Sequence, residues 1–261
     1  TRQETILALV RQQGRVLVED LSRSLGTTPQ TIRKDLRQLE EAGHVTRFHG
    51  GARLRAGQAY LAYELRRAMA GREKRAIGEA AARMLPQGAT VFINAGTTTE
   101  EAARALPEGM GLRVICDNVE IANITRRISG VTTIVAGGEV RPADGAVVGA
   151  AAVAFLEQFR ADFALIGAAA VSADGTLMDY DLDEVMVARV MMRNAGQVLL
   201  LVDSGKFDAS APVRIGHVGE TAMVITDTCP SAGLRDVCAR EGVTLCEISP
   251  ADAEPVERAN A

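Results

Sequence analysis

The sequence predicts an α/β protein with a small, basic, helical N-terminal part, and two observations carry that prediction. From residue 72 onward, six apolar, β-rich runs alternate with amphipathic helical stretches, the pattern of a mostly parallel sheet covered on both faces. Ahead of them, residues 1–55 hold 10 Lys+Arg against 6 Asp+Glu, so this segment carries +4 while the chain as a whole carries −4. Charge separated in this way points to anion binding by the first part as a task distinct from that of the rest. With 261 residues, 47% hydrophobic and 24% charged, the chain has enough apolar material for one or two globular domains and lacks the composition of a disordered protein.

The N-terminal elements follow in order. Ile6, Leu9 and Val10 share one helical face, and Gly14 stops that helix. A short extended "RVLV" leads to "EDLSRSLG", where Leu21 and Leu25 lie one turn apart and Gly26 closes a second helix. Thr28 then stands as N-cap with Pro29 at the first helical position, where its missing N–H costs nothing. Ile32, Leu36 and Leu39 form the buried stripe of this third helix, and Gly43 ends it. Its opposite face presents Gln30, Lys34, Arg37 and Gln38, flanked by Thr31 and Arg33.

A helix that enters a major groove by its N-terminal end needs short polar and long basic side chains in its first turns. A merely solvated helix face would carry similar residues. The context favours the groove: two helices, a tight turn and a third helix make a helix-turn-helix, and "HVTRFHGGARL" reads as two short strands around Gly50 and Gly51, a wing. Asp35 would be unfavourable against DNA, so it is expected to pair with an arginine or to cap within the domain.

The stretch "TPQTIRKDLRQLEEAGHVTRFHGGA", Thr28 to Ala52, resembles the signature of the DeoR family of bacterial transcriptional repressors, with its T-I-R-x-D-L core and H-G-G-A wing. The resemblance implies a winged helix-turn-helix over residues 1–55 that binds double-stranded operator DNA. It implies further that Thr28 through Gln38 form the recognition helix, and that Arg47 and His49 lie on the wing near phosphate or the minor groove.

Residues 56–71 read as a linker with some helical content, and residues 72–250 as the α/β domain. "REKRAIGEAAARML" is an amphipathic helix with Ile77 and Ala81 inward. The runs "TVFIN", "RVICD", "TTIVA", "FALIG", "VLLLVD" and "MVITD" are predicted strands, with helices such as "TEEAARAL", "VEIANITRRI" and "LDEVMVARVMMRNA" between them. The tail from 251 to 261 is polar and Pro/Ala-rich and is expected to be disordered.

In an open α/β sheet the carboxyl ends of the strands form the ligand crevice, so the small and polar clusters after these runs are expected to converge. Gly96, Thr97, Thr98 and Thr99 open a helix and offer backbone N–H groups, hydroxyls and a positive dipole end, which suits a phosphate. Thr97-x-x-Glu100 is also a capping box, which explains the threonine and glutamate without a ligand. Lys206 and Arg141 are candidate cations, the latter beside Gly137 and Gly138 in "AGGEVR"; a surface role would account for either equally well. Asn118, Asp181 and Glu184 are candidate readers of sugar or polyol hydroxyls, although acids in "LMDYDLDEV" also suit solvent or a helix N-terminus.

Other chemistry is not supported. His217 sits in a "RIGHVG" turn with no nucleophile elbow, and the four cysteines, Cys116, Cys229, Cys238 and Cys246, show no metal or redox spacing and read as buried thiols. No cofactor or metal is expected. No apolar run approaches the roughly 18 residues of a membrane span and no signal-peptide pattern opens the chain, so a cytoplasmic location away from membranes is expected.

The blocks "EKRAIGEAA", "INAGTTTEEAA", "DNVEIAN", "VAGGEVRPADGAVVG", "ADFALIG" and "VDSGKF" look like successive segments of the DeoR-family C-terminal sensor domain, so the resemblance spans about residues 3–230. It implies a fold similar to ribose-5-phosphate isomerase and glucosamine-6-phosphate deaminase, a phosphorylated sugar or polyol as effector, and a homo-oligomer, with a tetramer suggested. "AGGEVRPADGAVVG", "FLEQFRADFALIG" and "MDYDLDEV" are most similar to the branch governing glycerol 3-phosphate regulons, which makes glycerol 3-phosphate the favoured effector. The other reading is a sugar-phosphate isomerase or deaminase-like enzyme with an accessory DNA-binding domain, for which Asp162 or Glu184 could serve as base.

Overall fold

The computed structural model describes residues 2–13, 15–48, 50–54, 63–64 and 66–249. His49, half of the expected linker (56–62 and 65) and the tail from 251 lie outside the described residues. The chain divides into two compact units, one of Thr1–Met69 with Val140–Ala146, the other of Ala70–Glu139 with Val147–Ala261.

The first unit is a winged helix-turn-helix. Helix α1 (Arg2–Gln13), strand β1 (Arg15–Leu17), helices α2 (Val18–Ser24) and α3 (Pro29–Glu41), and strands β2 (Val45–Phe48) and β3 (Gly51–Leu54) enclose one core. Ile6 and Val10 from α1, Leu21 from α2, and Ile32, Leu36 and Leu39 from α3 are buried there with Val16, Val45 and Ala52. The stretch "RVLV" is more than a link: β1 pairs antiparallel with β3, giving a three-stranded sheet in the order β1-β3-β2. Gly51 is required where the strands meet, since a Cβ there would lie 2.2 Å from the Val16 carbonyl oxygen and 2.6 Å from the Phe48 ring.

The second unit contains β4 (Thr90–Ile93), β5 (Arg113–Cys116), β6 (Thr132–Val135), β7 (Glu139–Val140), β8 (Val147–Val148), β9 (Ala161–Ile166), β10 (Ala170–Val171), β11 (Thr176–Asp179), β12 (Ala195–Leu201), β13 (Val213–His217), β14 (Met223–Thr226) and β15 (Thr244–Glu247). Its helices are α4 (Gly71–Arg83), α5 (Thr97–Arg104), α6 (Val119–Thr125), α7 (Ala150–Leu156), α8 (Leu182–Arg193) and α9 (Ala232–Glu241). Seven strands form one sheet in the order β15-β14-β12-β9-β4-β5-β6, and every neighbouring pair is parallel.

Alternate residues explain why each run is apolar throughout. Val91, Ile93, Val114, Leu165, Leu199 and Leu201 pack on one face against Ile77, Ala81, Ala102 and Ile121 of α4, α5 and α6. Phe92, Ile115, Ile166, Val198 and Leu200 pack on the other with Leu156 of α7, Val185 and Ala188 of α8, and Leu234 of α9.

All six predicted strands belong to this sheet. The seventh, β15, lies at an edge with half-exposed and exposed side chains, so its segment lacks the apolar run of a central strand. A second sheet, β10-β11-β13, and the β7–β8 hairpin use strands of two to five residues, too short to stand out. The cysteine expectation needs one correction: Cys116, Cys229 and Cys238 are buried, but Cys246 on the edge strand is half-exposed. Burial pushes the Cys116 thiol up to about 12.

Helices α4 and α5 approach closely at Gly78, where a Cβ would lie 2.5 Å from both Ala102 N and Glu101 C. Replacing a helical glycine by alanine normally stabilises by about 1 kcal/mol. Gly78→Ala is expected to do the opposite and to cost about 1–3 kcal/mol, because backbone cannot yield as a side-chain tip can. Urea unfolding followed by circular dichroism checks the sign.

Candidate functional site

The first unit presents a surface suited to nucleic acid. Thr28 caps α3, its hydroxyl accepting from Thr31 N at 3.3 Å and lying 2.9 Å from the Thr31 hydroxyl. This fixes the entry of the helix and sets Gln30, Arg33, Lys34, Arg37 and Gln38 exposed along its outer side. Asp35, on the inner side, is bound by Arg2 through Nε–Oδ2 at 2.6 Å and Nη2–Oδ1 at 3.2 Å, and that hydrogen-bonded guanidinium holds its carboxyl below the usual range. The acid expected to disfavour DNA is thereby neutralised.

The wing differs from expectation at Arg47. Its Nε donates to Glu40 Oε2 at 2.7 Å and its backbone N to Glu40 Oε1 at 2.9 Å, so its charge is already matched. Cross-strand register puts it on the sheet face of Ala52 and Val16, the face that meets the helices. Gln38 similarly accepts from Gln3 Nε2. Exposed and without an ion pair among the described residues are Arg33, Lys34 and Arg37, joined by Arg53 on β3, which sequence reasoning counted only in the net charge. His49 is outside the described residues.

In the second unit, parallel strands bring their carboxyl ends to one edge. A small cleft, partly open to solvent, is lined there by Asn94, Ala95, Asp117, Asp179, Glu184, Val185, Ala188 and Ile215. Of the residues proposed from sequence, Glu184 lines this cleft. Asn94, Asp117 and Asp179 were missed, although each directly follows or ends a strand, the same positional signal that marked the others. Asn94 locks two strand ends together: its Oδ1 accepts from Gly167 N at 2.9 Å and its Nδ2 donates to Gly167 O at 3.4 Å.

Several expected hydroxyl readers have structural duties. Asn118 Oδ1 caps α6, accepting from Glu120 N at 2.7 Å and Ile121 N at 3.1 Å. Asp181 Oδ1 caps α8, accepting from Asp183 N at 2.9 Å and Glu184 N at 3.3 Å. The capping box expected at Thr97 and Glu100 does not form, because the helix begins one residue earlier, with Gly96 as N-cap and no side-chain cap. Thr99 donates its hydroxyl to the carbonyls of Asn94 (2.7 Å) and Gly96 (2.8 Å). The hydroxyls of Thr97 and Thr98 make no hydrogen bond among the described residues.

Gly137, Gly138 and Lys206 follow strands of the sheet at the same edge. Gly137 and Gly138 follow the edge strand β6, two strands from β4. Arg141 belongs to the segment grouped with the first unit and is clamped by Asp144 at 2.9 and 2.6 Å. Lys206 ends a 3-10 turn after β12, also two strands from β4, and makes no ion pair among the described residues. Asp162 is excluded from the cleft: it stands at the start of β9, the opposite edge, accepting from Thr90 N at 2.8 Å.

Comparison with known proteins gives these two surfaces a common context. Residues 2–57 match the DeoR-like helix-turn-helix domain, and residues 70–228 match the DeoR C terminal sensor domain. The chain belongs to the DeoR family. Its relatives include the HTH-type transcriptional repressor CsqR of Escherichia coli, 37% identical over 90% of this chain and 90% of that protein. The glycerol-3-phosphate regulon repressor of Escherichia coli is 36% identical over 94% of this chain and 97% of its own length, and that of Haemophilus influenzae 37% over 88% and 89%. A solved ribose 5 phosphate isomerase A from Neisseria gonorrhoeae superposes on 51% of this chain and 52% of its own at 13% identity and a TM-score of 0.36.

For this DeoR-family chain the sorting of charge on α3 makes a specific demand. Lys34→Ala should weaken binding to operator DNA and lower the slope of log affinity against log salt by about 1. Arg47→Ala, which removes a charge already matched by Glu40, should leave that slope unchanged. Fluorescence anisotropy at several salt concentrations distinguishes the two.

Proposed function

We propose that this DeoR-family chain is a cytoplasmic transcriptional repressor of a carbon-catabolism regulon, relieved by a phosphorylated sugar or polyol, with glycerol 3-phosphate favoured. The observation that carries the reading is the outer side of α3, where three unmatched cations and two glutamines follow a capped N-terminus while the inner acid is bound by Arg2. Operator DNA is the polyanion this surface suits, and the names of the relatives support the same role. Paired half-sites call for a homo-oligomer, with a tetramer suggested by family resemblance.

The strand-end cleft supports a ligand with two chemically different ends. Asp117, Asp179 and Glu184 repel an anion but accept hydrogen bonds from hydroxyls. Ala95, also in the lining, is followed by Gly96 and the side-chain-free start of α5, where an anion is favoured. A polyol phosphate satisfies both. The ligand must bind one state of the protein better than the other; moving a 1:99 balance to 99:1 takes about 10⁴-fold preference.

Glycerol 3-phosphate at about 100 times its dissociation constant should stabilise the full chain by about 2.7 kcal/mol and raise its melting temperature, while unphosphorylated glycerol at the same concentration should not. A shift from a different sugar phosphate alone would reassign the effector.

We read the chain as a sensor rather than a catalyst. Its opposite, an isomerase or deaminase-like enzyme, retains Glu184 as a cleft carboxylate but loses Asp162, which lies at the other edge. Pure protein is expected to show no turnover of pentose or hexosamine phosphates; sustained turnover abolished by Glu184→Gln would establish the enzyme.

A further inference from the structure

The parallel sheet of the second unit has two edges, β15 and β6, and they are guarded differently. Strand β15 closes on Glu247, whose carboxylate accepts from Arg235 at 2.6 Å and from Cys229 N at 2.7 Å. Charge placed at an edge discourages further strand pairing. Strand β6 lies in "VTTIVAGG", residues 131–138, which holds no charged residue and no proline. Its register with β5 runs from Thr132 to Val135 without a bulge.

The main chain shows what the β6 edge lacks. Thr132 N and Ala136 N donate towards the β5 side, to Leu112 O and Cys116 O, each at 2.8 Å. Alternate residues of a strand bond to opposite sides, so Thr133 and Val135 turn their N–H and C=O groups away from β5. Strand β6 pairs with β5 alone, and those outward groups make no backbone hydrogen bond among the described residues. The side chains here are β-branched. Thr133 has its hydroxyl 2.9 Å from that of Thr125 on α6, Val135 is 42% exposed, and Ile134 between them packs on the opposite sheet face.

Such an edge accepts one more strand, and a second β6 is complementary to it. A two-fold axis at Ile134 sets two copies antiparallel, pairing Thr133 with the partner's Val135 and Val135 with the partner's Thr133. Each pair then exchanges both N–H···O bonds. On one face Thr133 and Val135 lie side by side across the seam, and on the other Ile134 meets its own copy, both favourable β-branched pairs. Charge agrees with this direction. The exposed Arg126 and Arg127 precede β6 and the exposed Glu139 follows it, none with an ion pair among the described residues. Antiparallel pairing puts the basic end of one strand at the acidic end of the other, whereas parallel pairing would set like ends together.

We propose that β6 is a self-association edge, through which two copies of the chain join their seven-stranded sheets into one about a two-fold axis at Ile134. The assignment rests on the homo-oligomer that paired half-sites call for, and adds the surface that builds it.

Cross-linking of the full chain in a Cys246→Ser background tests the register. Ile134→Cys, at the axis, should give a disulfide-linked dimer on mild oxidation, since the Cα atoms of a facing non-hydrogen-bonded pair lie about 4.5 Å apart. Thr132→Cys should stay unlinked, because it faces the partner's Ala136 and lies about 13 Å or more from its own copy. Val135→Pro removes an outward donor while sparing the bonds to β5, and should halve the mass of the assembly measured by sedimentation.

A wild-type chain that sediments as a monomer overturns the proposal together with the homo-oligomer reading. A wild-type oligomer in which Ile134→Cys links no better than Thr132→Cys leaves this edge to another occupant and overturns the proposal alone. A folded Val135→Pro of undiminished mass does the same, and where that variant does not fold the cross-linking decides by itself.

Discussion

Seven strands that all run parallel impose one constraint on the rest of the sensor unit: every strand's carboxyl end lies on a single edge, and so does the N-terminus of each helix that directly follows one. Polar residues that terminate the strands are crowded at that edge and mostly buried, as Asn94, Asp117, Asn118 and Asp203 are. Buried polar groups need partners, so much of this chemistry is spent on holding the edge together. Asn94 ties β4 to the end of β9, Asn118 starts α6, and Asp203 accepts from Gly205 N at 3.2 Å to form the turn that carries Lys206. Among these strand ends, the glycine start of α5 is the one left without a side-chain cap.

The same accounting of partners governs the first unit. Its net positive charge says little by itself about where DNA is touched, because Arg2, Arg23 and Arg47 are each bound to an acid. The pairs differ in weight. Arg23 with Asp20 is an exposed pair at 3.5 Å and contributes little, whereas Arg2 grips a carboxylate that is only 6% exposed. Asp35 thus anchors α1 to α3 from the inner side, and the outer side of α3 keeps its cations unopposed. A recognition surface arises from what the domain leaves unpaired.

The two units also differ in how legible they were. In the first, a capping threonine, a proline at the first helical position and a leucine stripe are local signals, and the helices appear where those signals put them. The partnership of Arg47 with Glu40 was not legible, because seven residues of separation across a helix end and a strand carry no pattern. In the second unit the five inner strands announce themselves by apolar runs buried in the sheet, and the edge strand β6 by the apolar end of "TTIVA". The edge strand β15 and the short β10, β11 and β13 do not, since a half-exposed strand of few residues has no period to read.

The candidate site shows the same division. By itself the sequence determined that residues after strands would line a crevice, and it drew attention to Gly96 through Thr99 and to Glu184, because strand runs and helix starts are written in local composition. Only the tertiary structure decided which of those residues are consumed as caps and that Asp162 stands at the wrong edge. These outcomes depend on strand order, set by contacts between residues far apart in the chain for which no local signal exists.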